Sequence, residues 1–286
     1  MTNRCLGKLL YCNVNQLYEK ANTSITNSSC CWNESIFCEN LLIIKFYKMK
    51  TSFFLPMVLI GFMALGQNAD LGIANPSTYL SGLKKEMQIE WPKNRTFNVV
   101  FHGHSVPAGY FKTPLVNTLS AYPALVLKKI KALYPYAVVN VIVTAIGGEN
   151  SVSGASRFDN DVLVHQPDIL FIDYGLNDLR AGLEKSYKAW DEMIKKTNRN
   201  NIKVILLTPS PDQRIDYAVT NNELKKHSDQ IIRLANENQV GLVDSFQAFE
   251  FLYPKKNKLK KYMSQVNHPN KKGHELIAEE IMTYFK

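Results

Sequence analysis

A serine and a histidine of the sequence lie in separate polar motifs of the kind that supply a nucleophile and its base. Ser105 lies in a Gly-His-Ser motif, where the nearby glycines and a proline predict a tight turn that presents the hydroxyl. His268 lies in an Asn-His-Pro-Asn motif near the end of the chain. A serine hydroxyl becomes a nucleophile when a neighbouring imidazole removes its proton. Ser105 is therefore a candidate nucleophile, although neither motif by itself establishes this chemistry.

Two more polar motifs lie between these two. Gly148 is the second glycine of an Ile-Gly-Gly-Glu-Asn segment, and Asn177 lies in a Gly-Leu-Asn-Asp segment. Glycines in such a turn allow a backbone N–H to approach a ligand closely. Each motif alone is common by chance, so the prediction depends on their order and on the elements that position them.

Five short apolar runs, rich in β-branched residues, alternate with longer amphipathic stretches. This pattern is typical of β-α-β units whose parallel sheet is covered by helices on both faces. The motifs of Ser105, Gly148 and Asn177 follow the first three predicted strands, where open parallel sheets bind their ligands, and the motif of His268 leads into the last predicted helix. We therefore expect residues 67–286 to form one three-layer α/β/α domain. The predicted strands are 97–101, 138–144, 169–174, 204–208 and 240–243, and the predicted helices are about 77–88, 115–133, 157–165, 183–198, 221–238 and 271–285.

The four motifs resemble those of the SGNH, or GDSL-like, hydrolases, which are named for a Ser, a Gly, an Asn and a His in this order. The resemblance covers residues 95–286 and implies a flavodoxin-like fold with a five-stranded parallel sheet. It also implies that Ser105 is the nucleophile and His268 its base. The implied oxyanion hole consists of the N–H of Ser105, the N–H of Gly148 and the side chain of Asn177, which stabilise negative charge on the substrate oxygen. The resemblance implies no metal or organic cofactor.

Two residues depart from the pattern of this family. His104 replaces the aspartate of the nucleophile motif, and Gln265 replaces the acidic residue three positions before His268. In a complete triad that carboxylate fixes the tautomer of the base. We therefore expect a Ser-His dyad in which a backbone carbonyl or the side-chain oxygen of Gln265 orients His268. Asp244 is the alternative partner if a carboxylate has this role.

Other residues near the predicted site have less specific signals. We expect His104 to form a hydrogen bond beneath the nucleophile loop, with Asp178 as its candidate partner, and Asp178 to brace the loop of Asn177. His102 and His104 have a His-x-His spacing that can hold a metal, but no third ligand has a matching pattern, so no metal site is predicted. The candidate substrate-binding residues are Tyr110, Glu149, Asn150 and Arg180.

The first 66 residues differ in composition from the rest. Residues 49–66 have a cationic start, a short apolar core and a small-x-small end, which are typical of a signal peptide. The apolar run contains Pro56 and is shorter than the roughly 20 residues that span a bilayer, which favours cleavage over anchoring. We expect residues 1–48 to be an unstructured extension from a start codon assigned too early. The predicted location is secreted or periplasmic.

Cysteine content and charge exclude several classes of function. All five cysteines lie within residues 1–48, so the predicted domain has no disulfide, thiolate nucleophile or cysteine-ligated zinc. The formal net charge is +9, but the lysines are spread over predicted helices except for a cluster at 255–261. This favours a solvated surface over nucleic-acid binding. We expect no nucleic-acid partner and no stable membrane insertion after signal cleavage, and no pattern specifies an oligomeric state.

These observations predict a serine esterase that acts on a small-molecule or polysaccharide ester. The resemblance implies acetyl groups on carbohydrate as the substrate, by analogy with exported members of the family. Two alternatives stay open. The first is an O-acyltransferase that passes the acyl group to a sugar hydroxyl instead of water. The second is a glycan-binding protein whose catalysis is impaired by the loss of the acidic residue at position 265.

Overall fold

The computed structural model describes residues 72–254 and 256–286. The predicted extension (1–48) and signal peptide (49–66) lie outside the described residues. Five parallel strands form a central sheet in the order β2-β1-β3-β4-β5, which is the order of flavodoxin-like folds. The predicted α/β architecture is therefore confirmed. The strands are β1 (Thr96–Gly103), β2 (Val138–Val143), β3 (Ile169–Asp173), β4 (Lys203–Leu207) and β5 (Gly241–Val243), and a separate antiparallel hairpin joins β6 (Met263–Gln265) to β7 (His268–Pro269).

Helices cover both faces of the sheet. In chain order they are α1 (Pro76–Tyr79), α2 (Ser81–Glu86), α3 (Tyr122–Leu133), α4 (Ser151–Ser156), α5 (Phe158–Asp161), α6 (Gly175–Asp178), α7 (Leu183–Arg199), α8 (Glu223–Asn238), α9 (Ser245–Ala248), α10 (Lys256–Leu259) and α11 (Lys271–Met282). Short 3₁₀ turns lie at Thr118–Ser120, Leu163–His165, Glu250–Leu252 and Lys260–Tyr262. Among the described residues no helix is long and apolar enough to cross a bilayer.

Two hydrophobic cores lie on opposite faces of the sheet. Val99 and Phe101 of β1 pack with α3 and α11, whereas Val100 between them packs with α7 and α8. Successive side chains of a strand point to opposite faces, so a strand that is covered on both faces must be apolar throughout. The ring of Phe101 stacks on that of Phe171 in β3, with centroids 4.6 Å apart. These cores fix the strand ends from which the polar motifs project.

Three predicted helices differ from the observed ones. The helix predicted over 77–88 is interrupted at Leu80 and forms α1 and α2. The helix predicted over 115–133 begins at Tyr122, where Pro123 occupies the first turn and has the backbone angle that a helix start requires. Residues 112–121 instead form a loop beside the nucleophile turn. The helix predicted over 157–165 forms α5 and a 3₁₀ turn. A separate helix that was not predicted, α4, precedes it and starts at Asn150, whose side-chain oxygen accepts from the N–H groups of Val152 and Ser153.

Candidate active site

The turn after β1 places Ser105 at the carboxyl edge of the sheet. Gly103 pairs with Asp173 at the end of β3, and a Cβ at Gly103 would overlap the backbone oxygen of Asp173. Glycine is therefore required where the two strands meet. The turn then closes through a hydrogen bond from the Tyr110 N–H to the Ser105 carbonyl, at 3.0 Å. Ser105 is left 8% exposed at the end of the sheet.

The β6–β7 hairpin carries His268 to this turn. The Oγ of Ser105 lies 2.8 Å from Nε2 of His268, across 163 positions of the sequence. Asn270 fixes the exit of the hairpin, since its side-chain oxygen caps α11 and its amide nitrogen donates to the carbonyl of Lys261 at 2.9 Å. The fold therefore brings together the nucleophile and the base that the sequence predicts.

The other ring nitrogen of His268 has two partners. Nδ1 lies 3.2 Å from the carbonyl oxygen of Phe111 and 2.7 Å from Nε2 of Gln265. The side-chain oxygen of Gln265 instead accepts from the backbone N–H of Thr113 at 3.0 Å. The expected role of a backbone carbonyl is thus consistent with the geometry, whereas that of the Gln265 oxygen is wrong, because Thr113 fixes the carboxamide with its nitrogen towards the imidazole.

These two partners favour opposite tautomers of His268. When Nδ1 carries the proton it donates to the Phe111 carbonyl, and Nε2 is free to accept the Ser105 proton. When Nδ1 is unprotonated it accepts from the Gln265 amide, and Nε2 cannot act as a base. The carbonyl of Phe111 is itself held by the hydroxyl of Ser264 at 2.7 Å. A rigid backbone acceptor therefore supports the productive tautomer, and the Gln265 side chain opposes it.

Burial is the main influence on the charge of His268. It lowers the pKa of the imidazole below its ordinary value, because the charged form loses hydration. The hydrogen bond to the Phe111 carbonyl raises the pKa and only partly offsets this effect, and nearby His104 lowers it further. His268 is therefore neutral, as a general base must be, down to a lower pH than an exposed histidine.

Three donors of the implied oxyanion hole project from adjacent strand ends. Ser105 follows β1, and Gly148 and Asn177 follow its neighbours β2 and β3. The N–H groups of Ser105 and Gly148 have no acceptor among the described residues. Gly148 has a φ of 86°, which glycine adopts without strain. Asn177 donates one amide hydrogen to the Glu149 carbonyl at 2.7 Å, which orients the side chain and leaves its second hydrogen for a ligand.

His104 lies beneath the nucleophile and approaches the carboxylate of Asp173 without forming a hydrogen bond to it. Its Nδ1 accepts from the N–H of Val106 at 3.2 Å, so the neutral ring carries its proton on Nε2, which lies 3.3 Å from a carboxylate oxygen of Asp173. The hydroxyl of Tyr122 donates to the other oxygen of Asp173 at 3.0 Å. The expected pairing of His104 with Asp178 is therefore wrong, because the register of β1 and β3 brings the end of β3 under the turn.

Asp178 braces the loops instead. One carboxylate oxygen accepts from the N–H and the hydroxyl of Ser151, both at 2.8 Å, and the other accepts from the indole of Trp190 at 2.7 Å. Burial raises the pKa of Asp178, and these donors oppose the shift. Asp244, the reserve partner for His268, caps α9 and accepts from Thr208 at 2.7 Å, so it has a different role.

His102 is fully buried and both of its ring nitrogens are engaged. Nδ1 contacts the hydroxyl of Thr144 at 2.9 Å, and Nε2 lies 3.1 Å from the hydroxyl of Tyr174 and 3.2 Å from the carbonyl of Gly154. Burial lowers the pKa of His102 to about 4. Within residues 72–254 and 256–286 no cluster of three His, Cys, Asp or Glu side chains is arranged to hold a metal ion.

The candidate substrate-binding residues fall into two groups. The ring of Tyr110 lies 6.3 Å from that of His268, centroid to centroid, and Arg180 is exposed, so both are accessible to a substrate. Glu149 is held by Arg157, with N–O distances of 2.6 and 2.9 Å, and Asn150 caps α4. Both side chains thus have partners within the loop, and substrate binding by Glu149 and Asn150 stays a prediction.

The sequence analysis missed several groups that support the site. The carbonyl of Phe111 and the N–H of Thr113 are backbone groups, which carry no residue-type signal. Asp173 did have such a signal, because it is the one charged residue in the apolar run of β3. A carboxylate that ends a fully buried strand needs a partner, and His104 is a nearby candidate in the same register.

Comparisons with known proteins agree with this geometry. The family model described as GDSL-like lipase/acylhydrolase matches residues 101–276. The chain is similar to a two-domain esterase active on acetylated mannans, with a TM-score of 0.61 and 21% identity over 76% of this chain and 55% of that one. It thus spans about half the length of that esterase.

Two further structures are covered almost completely. An acetylxylan esterase from Geobacillus stearothermophilus has a TM-score of 0.56 and 20% identity over 66% of this chain and 94% of that one. A putative lipolytic protein of the G-D-S-L family from Desulfitobacterium hafniense DCB-2 has a TM-score of 0.53 and 23% identity over 64% and 97%. At these identities the likeness shows the fold alone. A search of curated proteins found no match.

Proposed function

Because the chain belongs to the GDSL-like lipase/acylhydrolase family, we propose that it is a serine esterase that removes acetyl groups from carbohydrates through an acyl-serine. Hydrolysis of ester bonds follows from the family. The observation that carries the mechanism is the 2.8 Å contact between Ser105 Oγ and His268 Nε2 at the carboxyl edge of the sheet. The substrate class is supported by the activities of the similar esterases, which act on acetylated mannans and on acetylxylan.

Acylation begins with proton transfer from Ser105 to His268. The Oγ attacks the ester carbonyl as its proton passes to Nε2, and the carbonyl oxygen becomes an oxyanion. The N–H groups of Ser105 and Gly148 and the amide of Asn177 donate hydrogen bonds to this oxyanion. Each hydrogen bond stabilises the oxyanion more than it stabilises the carbonyl oxygen of the neutral ester, which lowers the barrier. The tetrahedral intermediate then collapses. The ester C–O bond breaks, and the proton on Nε2 passes to the leaving sugar oxygen.

Deacylation repeats these steps with water. Neutral His268 removes a proton from water, and the resulting hydroxyl attacks the acetyl carbon of the acyl-serine. Acetate leaves, and the proton on Nε2 returns to the Ser105 oxygen. In both halves Nδ1 keeps its proton, which it donates to the Phe111 carbonyl while the ring is charged.

The proposal is tested with the purified full chain on p-nitrophenyl acetate and on acetylated xylan and mannan, with acetate as the product measured. Ser105→Ala should abolish activity above the background, because no other nucleophile of the described residues contacts Nε2. Ser81→Ala is the control, since it changes an exposed serine on α2. Equal rates for Ser105→Ala and the control would refute the assignment. A reaction with an added sugar acceptor separates transfer from hydrolysis. If acetylated sugar, and not acetate, is the main product in water, the proposal of hydrolysis is wrong.

Export is part of the proposal and rests on the sequence of residues 49–66. An exported esterase reaches polysaccharides that a cell does not take up. The measurement is the N-terminal sequence of the protein recovered from medium or cell envelope, which should begin near Gln67. Recovery of a chain that begins at Met1 from the cytoplasm would contradict export.

A further inference from the structure

A cavity of about 680 Å³ lies between the loop after β4 and the segment after β5. It is lined in part by Tyr217 and Tyr253, whose rings stack with centroids 3.7 Å apart and planes at 6°. Tyr217 donates its hydroxyl to the carbonyl of Asp212 at 3.1 Å, and Tyr253 donates to the carbonyl of Phe246 at 2.8 Å. Both hydroxyls bind inside the protein, and Tyr253 is only 7% exposed, so the pair presents aromatic carbon to the cavity mainly through the half-buried ring of Tyr217, which suits the C–H face of a sugar ring.

This aromatic pair is fixed before any ligand binds. The Tyr217 oxygen also accepts from the N–H of Asp212 at 2.9 Å, and the buried carboxylate of Asp212 is paired with Arg214. A side chain that is already ordered loses little conformational entropy on binding, so its contacts contribute more to affinity. The volume of the cavity is within the range of small-molecule sites. The structure thus has a preformed place for a sugar residue.

The loop that supplies Tyr217 to the cavity is hydrogen-bonded to the catalytic hairpin. The N–H of Gln213 donates to the carbonyl of Val266 at 2.9 Å, and its side chain donates to the carbonyl of Gln265 at 3.1 Å. Tyr217 is four residues beyond Gln213, so their Cα atoms are at most about 15 Å apart. A polysaccharide with an ester at Ser105 can therefore extend over this surface, which a small ester does not reach.

Charge at this edge of the sheet is unbalanced. The acidic side chains of the catalytic loops are mostly neutralised, as with Glu149 by Arg157 and Asp212 by Arg214. The exposed acids that lack a basic partner among the described residues are Asp216 and Glu250. In the same loops, five basic side chains are exposed and form no ion pair with the described residues: Lys112, Arg180, Lys258, Lys260 and Lys261.

We propose that the Tyr217–Tyr253 pair and Lys258, Lys260 and Lys261 form a subsite for an anionic polysaccharide that carries uronate carboxylates. This inference rests on the proposed esterase function and names the substrate class of that site. The aromatic pair packs against a sugar ring, and the ammonium groups bind carboxylates through charge-assisted hydrogen bonds. The unbalanced charge also attracts a polyanion from a distance.

Salt dependence tests the charge. The assay compares acetylated pectin, which is anionic, with neutral acetylated mannan and with p-nitrophenyl acetate at low and moderate NaCl concentrations. Raising the ionic strength from about 0.01 M to 0.1 M shortens the screening length from about 30 Å to about 10 Å. The value of kcat/KM should fall about tenfold for acetylated pectin and stay unchanged for the two neutral substrates.

Charge-removing variants test the residues. Exposed ion pairs are individually weak, so the combined loss of three lysines should raise KM for acetylated pectin about tenfold, with kcat unchanged. Rates on p-nitrophenyl acetate should not change. The control has the same change in net charge on exposed lysines away from this edge. The test variant is Lys258→Gln with Lys260→Gln and Lys261→Gln, and the control is Lys85→Gln with Lys93→Gln and Lys195→Gln.

Binding of de-acetylated polygalacturonate, measured by affinity electrophoresis, separates this inference from the esterase proposal. If the wild-type chain does not hydrolyse p-nitrophenyl acetate, the esterase proposal fails, and retardation by polygalacturonate still reports on the subsite. Retardation that the test variant loses and the control keeps supports the subsite. Equal use of neutral and anionic glycans without salt dependence, or equal retardation of test and control variants, overturns it.

Discussion

Replacing Gln265 by Glu should increase esterase activity. The substitution keeps the shape of the side chain and exchanges the amide nitrogen, which lies 2.7 Å from Nδ1 of His268, for a carboxylate oxygen. The second oxygen keeps the hydrogen bond from the Thr113 N–H, at 3.0 Å in the parent. The variant therefore replaces a donor that opposes the productive tautomer with an acceptor that favours it.

The size of the gain follows from that contact. A hydrogen bond to a charged group contributes about 1.5–3 kcal/mol of stabilisation. Because residue 265 is partly exposed, we expect a contribution to transition-state stabilisation near the low end, about 1.4 kcal/mol or more. Since 1.36 kcal/mol corresponds to tenfold in rate, kcat/KM should rise about tenfold or more at neutral pH. The carboxylate also stabilises the imidazolium that forms during acylation.

The pH profile gives a second measure of the same contact. In the parent, burial lowers the pKa of His268, so activity should persist below the ordinary pKa of histidine, near 6.5. A neighbouring carboxylate raises that pKa. Only neutral His268 acts as a base, so the acidic limb of kcat/KM should move to higher pH in Gln265→Glu while the plateau rises.

The assay is hydrolysis of p-nitrophenyl acetate from pH 4 to pH 9, together with ¹⁵N NMR of histidine-labelled protein to report the tautomer. Gln247→Glu, on the exposed side of α9, supplies the same charge change as a control. Gln265→Glu should show Nδ1 protonated. A lower plateau than the parent, or an unchanged profile and tautomer, would refute the opposing role of the Gln265 amide.

Other substitutions test the remaining parts of the site. Asn177→Ala should lower kcat about 10²–10³-fold with little change in KM, and an unchanged kcat would remove Asn177 from the oxyanion hole. Asp178→Asn should lower the free energy of unfolding by about 1–3 kcal/mol, measured by urea denaturation, because the Trp190 indole or the Ser151 N–H then faces an amide N–H. Gly103→Ala should give little soluble protein, since its Cβ would overlap backbone; a soluble, active variant would contradict the close approach.

The positions of the strands were largely predictable from the sequence, and so were the residues that meet at their ends. Fully buried strands require continuous apolar runs, and parallel topology brings their carboxyl ends together. This is why Ser105, Gly148 and Asn177 could be placed together, whereas His268, on the β6–β7 hairpin, was paired with Ser105 only through the family resemblance. The start of α3 was less predictable, because the apolar residues of 115–119 fit a helix and yet form an exposed loop.

The orientation of the base was beyond sequence reasoning for a physical reason. The Gln265 carboxamide presents either an oxygen or a nitrogen to His268, and the choice is made by the N–H of Thr113, which is distant in sequence. Similarly, the carboxylate that His104 approaches depends on the register between β1 and β3. Residue types identify the groups, but tertiary contacts decide which hydrogen bonds they form.

The most direct test of the acyl-serine mechanism is mass spectrometry of the intact chain and its peptides after acid quenching during turnover of p-nitrophenyl acetate. The proposed mechanism predicts an added acetyl group on the peptide that contains Ser105, absent from Ser105→Ala and removed when turnover is complete. Turnover without an acetylated intermediate, or with the acetyl group on another residue, would contradict it.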